Sequence, residues 1–213
     1  LKNINPQYII IANVTSKHLK TIKVIEKYYH SKKVLIEKPL SDKHTNYVPK
    51  RNRYFVGYNL RFHPIIIKLK KLIKGKKLKT IDIDLTTFYP NWRNTIQFDK
   101  SSSASKSKGG GAILDLSHEI DYSLFLFGPI KPIYSYSGKI SNLPSNTDDY
   151  LKLIGKCTHR EKAMYSLSIN CFSKIEKREI RIIGNNLQIY ADFINNRIEI
   201  EDNKERKTYK FDQ

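Results

Sequence analysis

Apolar residues open the chain in three short unbroken runs. Gln7-Tyr8-Ile9-Ile10-Ile11-Ala12-Asn13, Lys33-Val34-Leu35-Ile36 and Tyr54-Phe55-Val56-Gly57 lack the alternation of a half-solvated strand. Such runs predict strands buried on both faces of a parallel sheet. Between the first two, Leu19, Ile22, Ile25, Glu26 and Tyr29 make a mostly apolar stripe at helical spacing, which Thr15 or Ser16 can cap. Strand, helix and strand form one βαβ unit. Residues 41 to 53 are polar and patternless and read as loop.

Farther on, Phe62, Ile65, Ile66, Leu69, Leu72 and Ile73 recur at the spacing of an amphipathic helix, which Gly75 stops. The period then changes. Ile81, Ile83, Leu85 and Thr87 alternate with Asp82, Asp84, Thr86 and Phe88, as in a half-buried strand of an open sheet. Later strands are predicted at residues 133–136, 150–154, 165–171, 179–183, 187–193 and 197–201, with hairpin turns at Gly184-Asn185-Asn186 and Asp202-Asn203. A parallel region followed by an antiparallel one implies an α/β chain of two domains, divided near residues 57 to 62. There is no internal repeat.

Chemistry-bearing residues concentrate in one stretch, Gly109 to Asp121, where three glycines precede Asp115, His118, Glu119 and Asp121. On one helix, Asp115, His118 and Asp121 would recur at i, i+3, i+6 near one face. A histidine beside a carboxylate is a general base with an orienting partner. An ordinary helix start with acidic residues in its first turn fits the spacing as well. Glu37-Lys38-Pro39, at the carboxyl end of the second strand, lies where ligands bind in such sheets. A surface ion pair between Glu37 and Lys38 is the plainer alternative.

Composition narrows the classes. The net charge of +19 comes from lysines spread along the whole chain, a general compositional bias rather than a nucleic-acid patch. No run approaches the ~18–20 apolar residues of a membrane span. Two cysteines, Cys157 and Cys171, make no disulfide framework or metal spacing, so a reducing cytoplasm is expected. His118-Glu119 lacks the second histidine of a zinc protease motif, and no metal is expected.

Taken in order, Glu37-Lys38-Pro39, Gly57-Tyr58-Asn59-Leu60-Arg61-Phe62-His63-Pro64, Trp92-Arg93 and Gly109 to Asp121 resemble the Gfo/Idh/MocA (glucose–fructose oxidoreductase and inositol dehydrogenase) family. The resemblance implies a Rossmann domain followed by an α+β domain with a large, mostly antiparallel open sheet. Residues 1–58 would be the later part of the first and 59–213 the second, which binds substrate and oligomerises. The implied activity is NAD- or NADP-dependent hydride transfer at a hydroxyl carbon of a sugar, sugar derivative or polyol. By the same resemblance Lys38 would hydrogen-bond the reacting oxygen, His118 would move the hydroxyl proton, and Asp115 would hold substrate or orient the histidine. Asn13, Thr15, His18, Glu37, Lys38, Trp92 and Arg93 would line the cofactor side, and Arg61, Asp115 and Asp121 the substrate side.

Departures from the family pattern accompany these matches. Only two residues separate Asp115 from His118 where three are common, which leaves the partner of His118 open between Asp115 and Asp121. Val14 stands at a usual proline, and Ser102 or Ser103 at a frequent tyrosine. No glycine precedes Gly57, so the glycine-rich turn that cradles a pyrophosphate is missing. Roughly 60 residues of βα structure and a closing helical segment would then be absent. The expectation is a truncated chain with impaired activity and a bare sheet face. The alternative is a non-enzymatic remnant or a partner-binding subunit, such as a homo-oligomer formed through the second domain's sheet.

Overall fold

The computed structural model describes residues 4–92, 96–159 and 162–212. The three apolar runs form a parallel sheet in the order β1 (Tyr8–Ile11), β2 (Lys33–Ile36), β3 (Arg53–Val56). α1 (His18–Tyr28) lies on one face, where Ile22, Ile25 and Tyr29 pack with Ile11, Val34 and Ile36. Strand burial on both faces, the expectation from the runs, is not what forms. On the other face Ile10, Leu35 and Phe55 align in one cross-strand row at 68%, 39% and 54% exposure. Neither Thr15 nor Ser16 caps α1. Thr15–Lys17 forms a 3-10 turn, which moves the cap position to Lys17.

Glu26 belongs to the α1 stripe for a reason other than apolarity. Its buried carboxylate accepts from the backbone N–H groups of Lys50 (2.8 Å) and Arg51 (3.0 Å), from Asn52 Nδ2 (2.7 Å) and from the Tyr54 hydroxyl (2.9 Å). One acid thereby fixes the end of the long loop that leads into β3.

The second sheet has eight strands: β4 (Leu78–Phe88), β5 (Ile130–Gly138), β6 (Tyr150–Cys157), β7 (Met164–Asn170), β8 (Phe172–Gly184), β9 (Leu187–Asp192), β10 (Arg197–Asp202) and β11 (Arg206–Lys210). Their order is β11-β10-β9-β8-β4-β7-β6-β5, and β4 with β7 is the parallel pair. α2 (Pro64–Leu72), α3 (Ala112–Asp115) and α4 (Ser117–Phe127) cover one face. There Ile65, Ile66 and Leu69 meet Ile81, Ile83 and Leu85 in the main core. The opposite face is polar: Ser166, Asp82, Arg181 and Tyr190 lie in one cross-strand row. β4 therefore alternates as its sequence predicts. β11 was not foreseen, because Arg206-Lys207-Thr208-Tyr209-Lys210 carries little apolar pattern and is held as an edge strand by pairing with β10.

Candidate active site

The glycine run is shaped by what it touches. A Cβ on Gly109 would stand 2.8 Å from that of Thr15, so the run packs tightly against the turn after β1. Gly111, at φ 119°, passes within reach of Asp148, whose Oδ1 would lie 2.2 Å from an added Cβ. Asp148 starts α3 by accepting from Ala112 N through its carbonyl and from Ile113 N through Oδ2, both at 2.9 Å.

α3 lasts one turn. Leu116 (φ −104°, ψ 27°) breaks the helix, and α4 begins at Ser117. The expected single helix with Asp115, His118 and Asp121 on one face is therefore replaced by two. Asp115 ends the first, and His118 and Asp121 share the second.

Lys38, just beyond β2, reaches across to this break and donates through Nζ to the Asp115 carbonyl. Burial lowers the pKa of Lys38, and the carboxylates of Asp115 and Glu119 oppose the shift. Burial likewise raises Asp115, against the pull of the Ser103 hydroxyl and the Lys38 charge. His118 is pushed down to about 4, first by burial and then by the charges of Lys38 and Arg178, with Asp121 opposing. Its imidazole is thus uncharged at neutral pH and able to accept a proton. Tyr58 stands edge-on to it, with ring centroids 5.6 Å apart.

His118 Nδ1 is hydrogen-bonded to neither Asp115 nor Asp121. Asp121 is engaged by Arg61 in a two-point pair, Nε to Oδ2 at 2.8 Å and Nη2 to Oδ1 at 2.5 Å. His118 Nδ1 and Asp115 Oδ2 are both buried and without a hydrogen-bond partner among the described residues, as is Ser117 Oγ. Buried polar atoms are rarely left so.

The remaining candidates divide. The two ring nitrogens of His18 lie 2.9 Å from the carbonyls of Pro39 and Asn13, so this buried residue ties the ends of β1 and β2 together and leaves no ring nitrogen free. Asn13 is exposed and donates to Thr21 Oγ1 (2.9 Å). Glu37 is exposed and Thr15 half-buried. Trp92 donates to Thr87 Oγ1 (2.7 Å) and packs edge-on against Tyr89. Arg93 lies outside the described residues. Sequence reasoning missed Asp148 and Arg178, which sit far along the chain in stretches without a recognisable motif. Among the described residues no group of three or more His, Cys, Asp or Glu could hold a metal ion.

The family model described as "GFO/IDH/MocA C-terminal domain" matches residues 66–190. No curated protein matches the sequence. Among solved structures, the chain is similar to the WlbA dehydrogenase of Bordetella pertussis in complex with NADH and UDP-GlcNAcA, at 18% identity, TM-score 0.75 and 94% coverage of this chain. It is also similar to levoglucosan dehydrogenase in complex with NADH and levoglucosan, at 17% identity, TM-score 0.78 and 96% coverage. A third is the UDP-N-acetylglucosamine 3-dehydrogenase GnnA of Acidithiobacillus ferrooxidans, at 16% identity, TM-score 0.69 and 97% coverage. These likenesses show a shared fold. The chain spans 60%, 61% and 64% of the three structures, respectively.

Proposed function

The chain belongs to the Gfo/Idh/MocA family, and from that premise we propose that its site serves hydride transfer between NAD(P) and a hydroxyl carbon of a sugar, sugar derivative or polyol. The observation that carries this reading is the Lys38 Nζ bond to the Asp115 carbonyl at the α3–α4 break, beside which α4 carries His118 with its Nδ1 unpartnered. The relatives named with NADH and with sugars support the cofactor and substrate classes.

A nicotinamide cofactor, when bound, supplies the hydride donor or acceptor. His118 takes the hydroxyl proton or returns it to the carbonyl oxygen. The lowered pKa makes its imidazole a modest base and its imidazolium a strong proton donor. The Lys38 ammonium donates to the reacting oxygen and stabilises the negative charge that gathers there. Asp115 holds Lys38 through its carbonyl and offers Oδ2 to a substrate hydroxyl. Arg61 and Asp121, bound to each other, present a rigid edge to the substrate.

The turn after β1 and the end of β2 are read as the nicotinamide end of the cofactor site. By resemblance Asn13, Thr15, Glu37 and Trp92 would flank it, while His18 braces the strand ends. With no glycine before Gly57, the turn after β1 offers no close cradle for a pyrophosphate. Residues 1–58 are accordingly read as the nicotinamide-side part of a dinucleotide-binding domain and 59–213 as the substrate domain. Calorimetry tests this. NAD(H) should bind the 213 residues weakly and should bind measurably once a glycine-rich βαβ unit is fused ahead of β1. Tight binding by the chain alone, or sugar oxidation by the fusion that survives His118→Ala undiminished, would overturn the assignment.

A second reading, a partner-binding subunit, is favoured by the exposed row Ile10, Leu35 and Phe55, because parallel sheets are ordinarily covered on both faces. A second copy of the chain is the simplest cover, and mass measurement after size exclusion distinguishes dimer from monomer. Cys157 and Cys171 are both buried. No helix among the described residues is long and apolar enough to cross a membrane.

A further inference from the structure

The segment that leaves β3 is pinned by its own backbone. The Gly57 N–H donates to the Ile36 carbonyl (2.8 Å), and two tight turns follow, Tyr58 N–H to the Val56 carbonyl (2.8 Å) and Asn59 N–H to the Gly57 carbonyl (2.9 Å). Tyr58, at φ −79° and ψ 70°, has the shape of an inverse γ-turn. A Cβ on Gly57 would stand 3.4 Å from the Ile36 oxygen, so the chain runs close against the end of β2. Arg61 closes the next turn by donating its N–H to the Tyr58 carbonyl (3.2 Å). Tyr58 and Arg61, three residues apart, are thereby fixed to the end of the small sheet.

Both side chains land on α4. Tyr58 meets His118 edge to face, with ring centroids 5.6 Å apart and planes at 83°. Arg61 holds Asp121 at two points, 2.8 and 2.5 Å, and its guanidinium carbon lies 5.4 Å from the ring centre of Phe125. His118, Asp121 and Phe125 are i, i+3 and i+7 on one helix, so the contacts run along a single stripe of α4. His118 is the end of that stripe nearest the α3–α4 break.

A histidine that moves protons is ordinarily oriented by a hydrogen bond to its second ring nitrogen. His118 Nδ1 has no such partner among the described residues, and the acid on the same stripe, Asp121, is taken by Arg61. The ring of Tyr58 stands in that role, because edge-to-face packing is a geometry that aromatic rings prefer.

We propose that Tyr58 is a positioning residue that sets the orientation of the His118 imidazole through its ring, while the Arg61–Asp121 pair holds α4 in register with the same turn. The proposal rests on the reading of His118 as the proton-transfer group. Its test reads ring geometry and needs no turnover, so either can fail without the other.

The experiment is NMR on the isotope-labelled chain at neutral pH, with amide dispersion reporting the fold. In the wild type, nuclear Overhauser contacts should join the ring protons of Tyr58 and His118, and three-bond couplings to His118 Cγ should show a single χ1 rotamer. Tyr58→Phe keeps the ring and should keep that rotamer. Tyr58→Leu keeps apolar bulk without the ring, and His118 should then average over more than one rotamer. A folded Tyr58→Leu chain with His118 still in one rotamer overturns the proposal, because bulk alone would suffice. Averaging in Tyr58→Phe overturns it too, because the hydroxyl and not the ring would be holding the imidazole. If Tyr58→Leu does not fold, the other two chains decide. Intact ring contacts with one rotamer in both support the proposal, and missing contacts or an averaged His118 in either overturns it.

Discussion

Lys38 donates through Nζ to the backbone carbonyl of Asp115, 77 residues away in sequence. That bond joins the end of the small parallel sheet to the helix break on the large one. It aims the ammonium at a carbonyl whose own residue carries an unpartnered carboxylate oxygen. Because the Lys38 charge lowers the pKa of both His118 and Asp115, Lys38→Met should raise both, which NMR titration reads directly. In a chain made competent for cofactor binding, the same change should cost on the order of 10²–10³ in rate, the usual loss when one donor to a developing oxyanion is removed.

His118 should be expendable for folding and not for proton transfer. Among the described residues it has no hydrogen-bond partner for Nδ1, so His118→Gln should leave the fold intact while turnover falls about 10²–10⁴-fold. Its folded pKa of about 4 lies below the ordinary 6.5. The unfolded chain therefore binds more protons between these values, and the stability His118 contributes is present above pH 6.5 and lost as pH falls toward 4. Urea midpoints measured at pH 7 and at ~5 should drop more for the wild type than for His118→Gln.

Much of this was written in the sequence. The alternation from Ile81 to Phe88 and the stripe from Ile65 to Ile73 appear as β4 and α2, because each residue's face is fixed by a local period. The Lys38 Nζ bond to the Asp115 carbonyl joins two of the motifs that the sequence singles out. What was not legible depends on distant partners. The break at Leu116 needs Asp148 to start a separate turn ahead of it. The parallel β4–β7 pair needs a crossover of some 75 residues that no period announces. Arg178 reads as one more base in a basic chain until Glu119 is seen beside it. Glu26 looks like a flaw in an apolar stripe until its four donors, all 24 or more residues away, are in place.

Glu26 also separates the acid sensitivities of the two sheets' cores. Burial alone would raise its pKa, but the donors from Arg51, Asn52, Lys50 and Tyr54 bring it to about 2 from an ordinary 4.5. Its contribution to stability is therefore full above pH 4.5 and lost as pH falls toward 2, below most of the window in which His118 acts. Glu26→Gln keeps the shape and weakens the charge-assisted bonds, at a cost of about 1–3 kcal/mol. Hydrogen exchange should show the loss first at Lys50 to Tyr54, with the β4–β8 core unaffected.

Two positive-φ glycines give the sharpest stability test, because they differ in backbone conformation and in their neighbours. Gly75, at φ 71°, has nothing within 4 Å of an added Cβ, so Gly75→Ala should cost about 1–2 kcal/mol, the strain of a left-handed alanine. Gly111 would meet Asp148 Oδ1 at 2.2 Å in addition to its positive φ, and Asp148 holds the first two N–H groups of α3. Gly111→Ala should therefore cost more than Gly75→Ala by at least ~1 kcal/mol, as the displaced carboxylate abandons a helix start. In an Asp148→Ala background the steric part vanishes and the strain remains, so the cost of Gly111→Ala should shrink without reaching zero. Full additivity of the two substitutions in thermal unfolding would show that Asp148 and the glycine run act independently, and that the α3–α4 break is set by Leu116 alone.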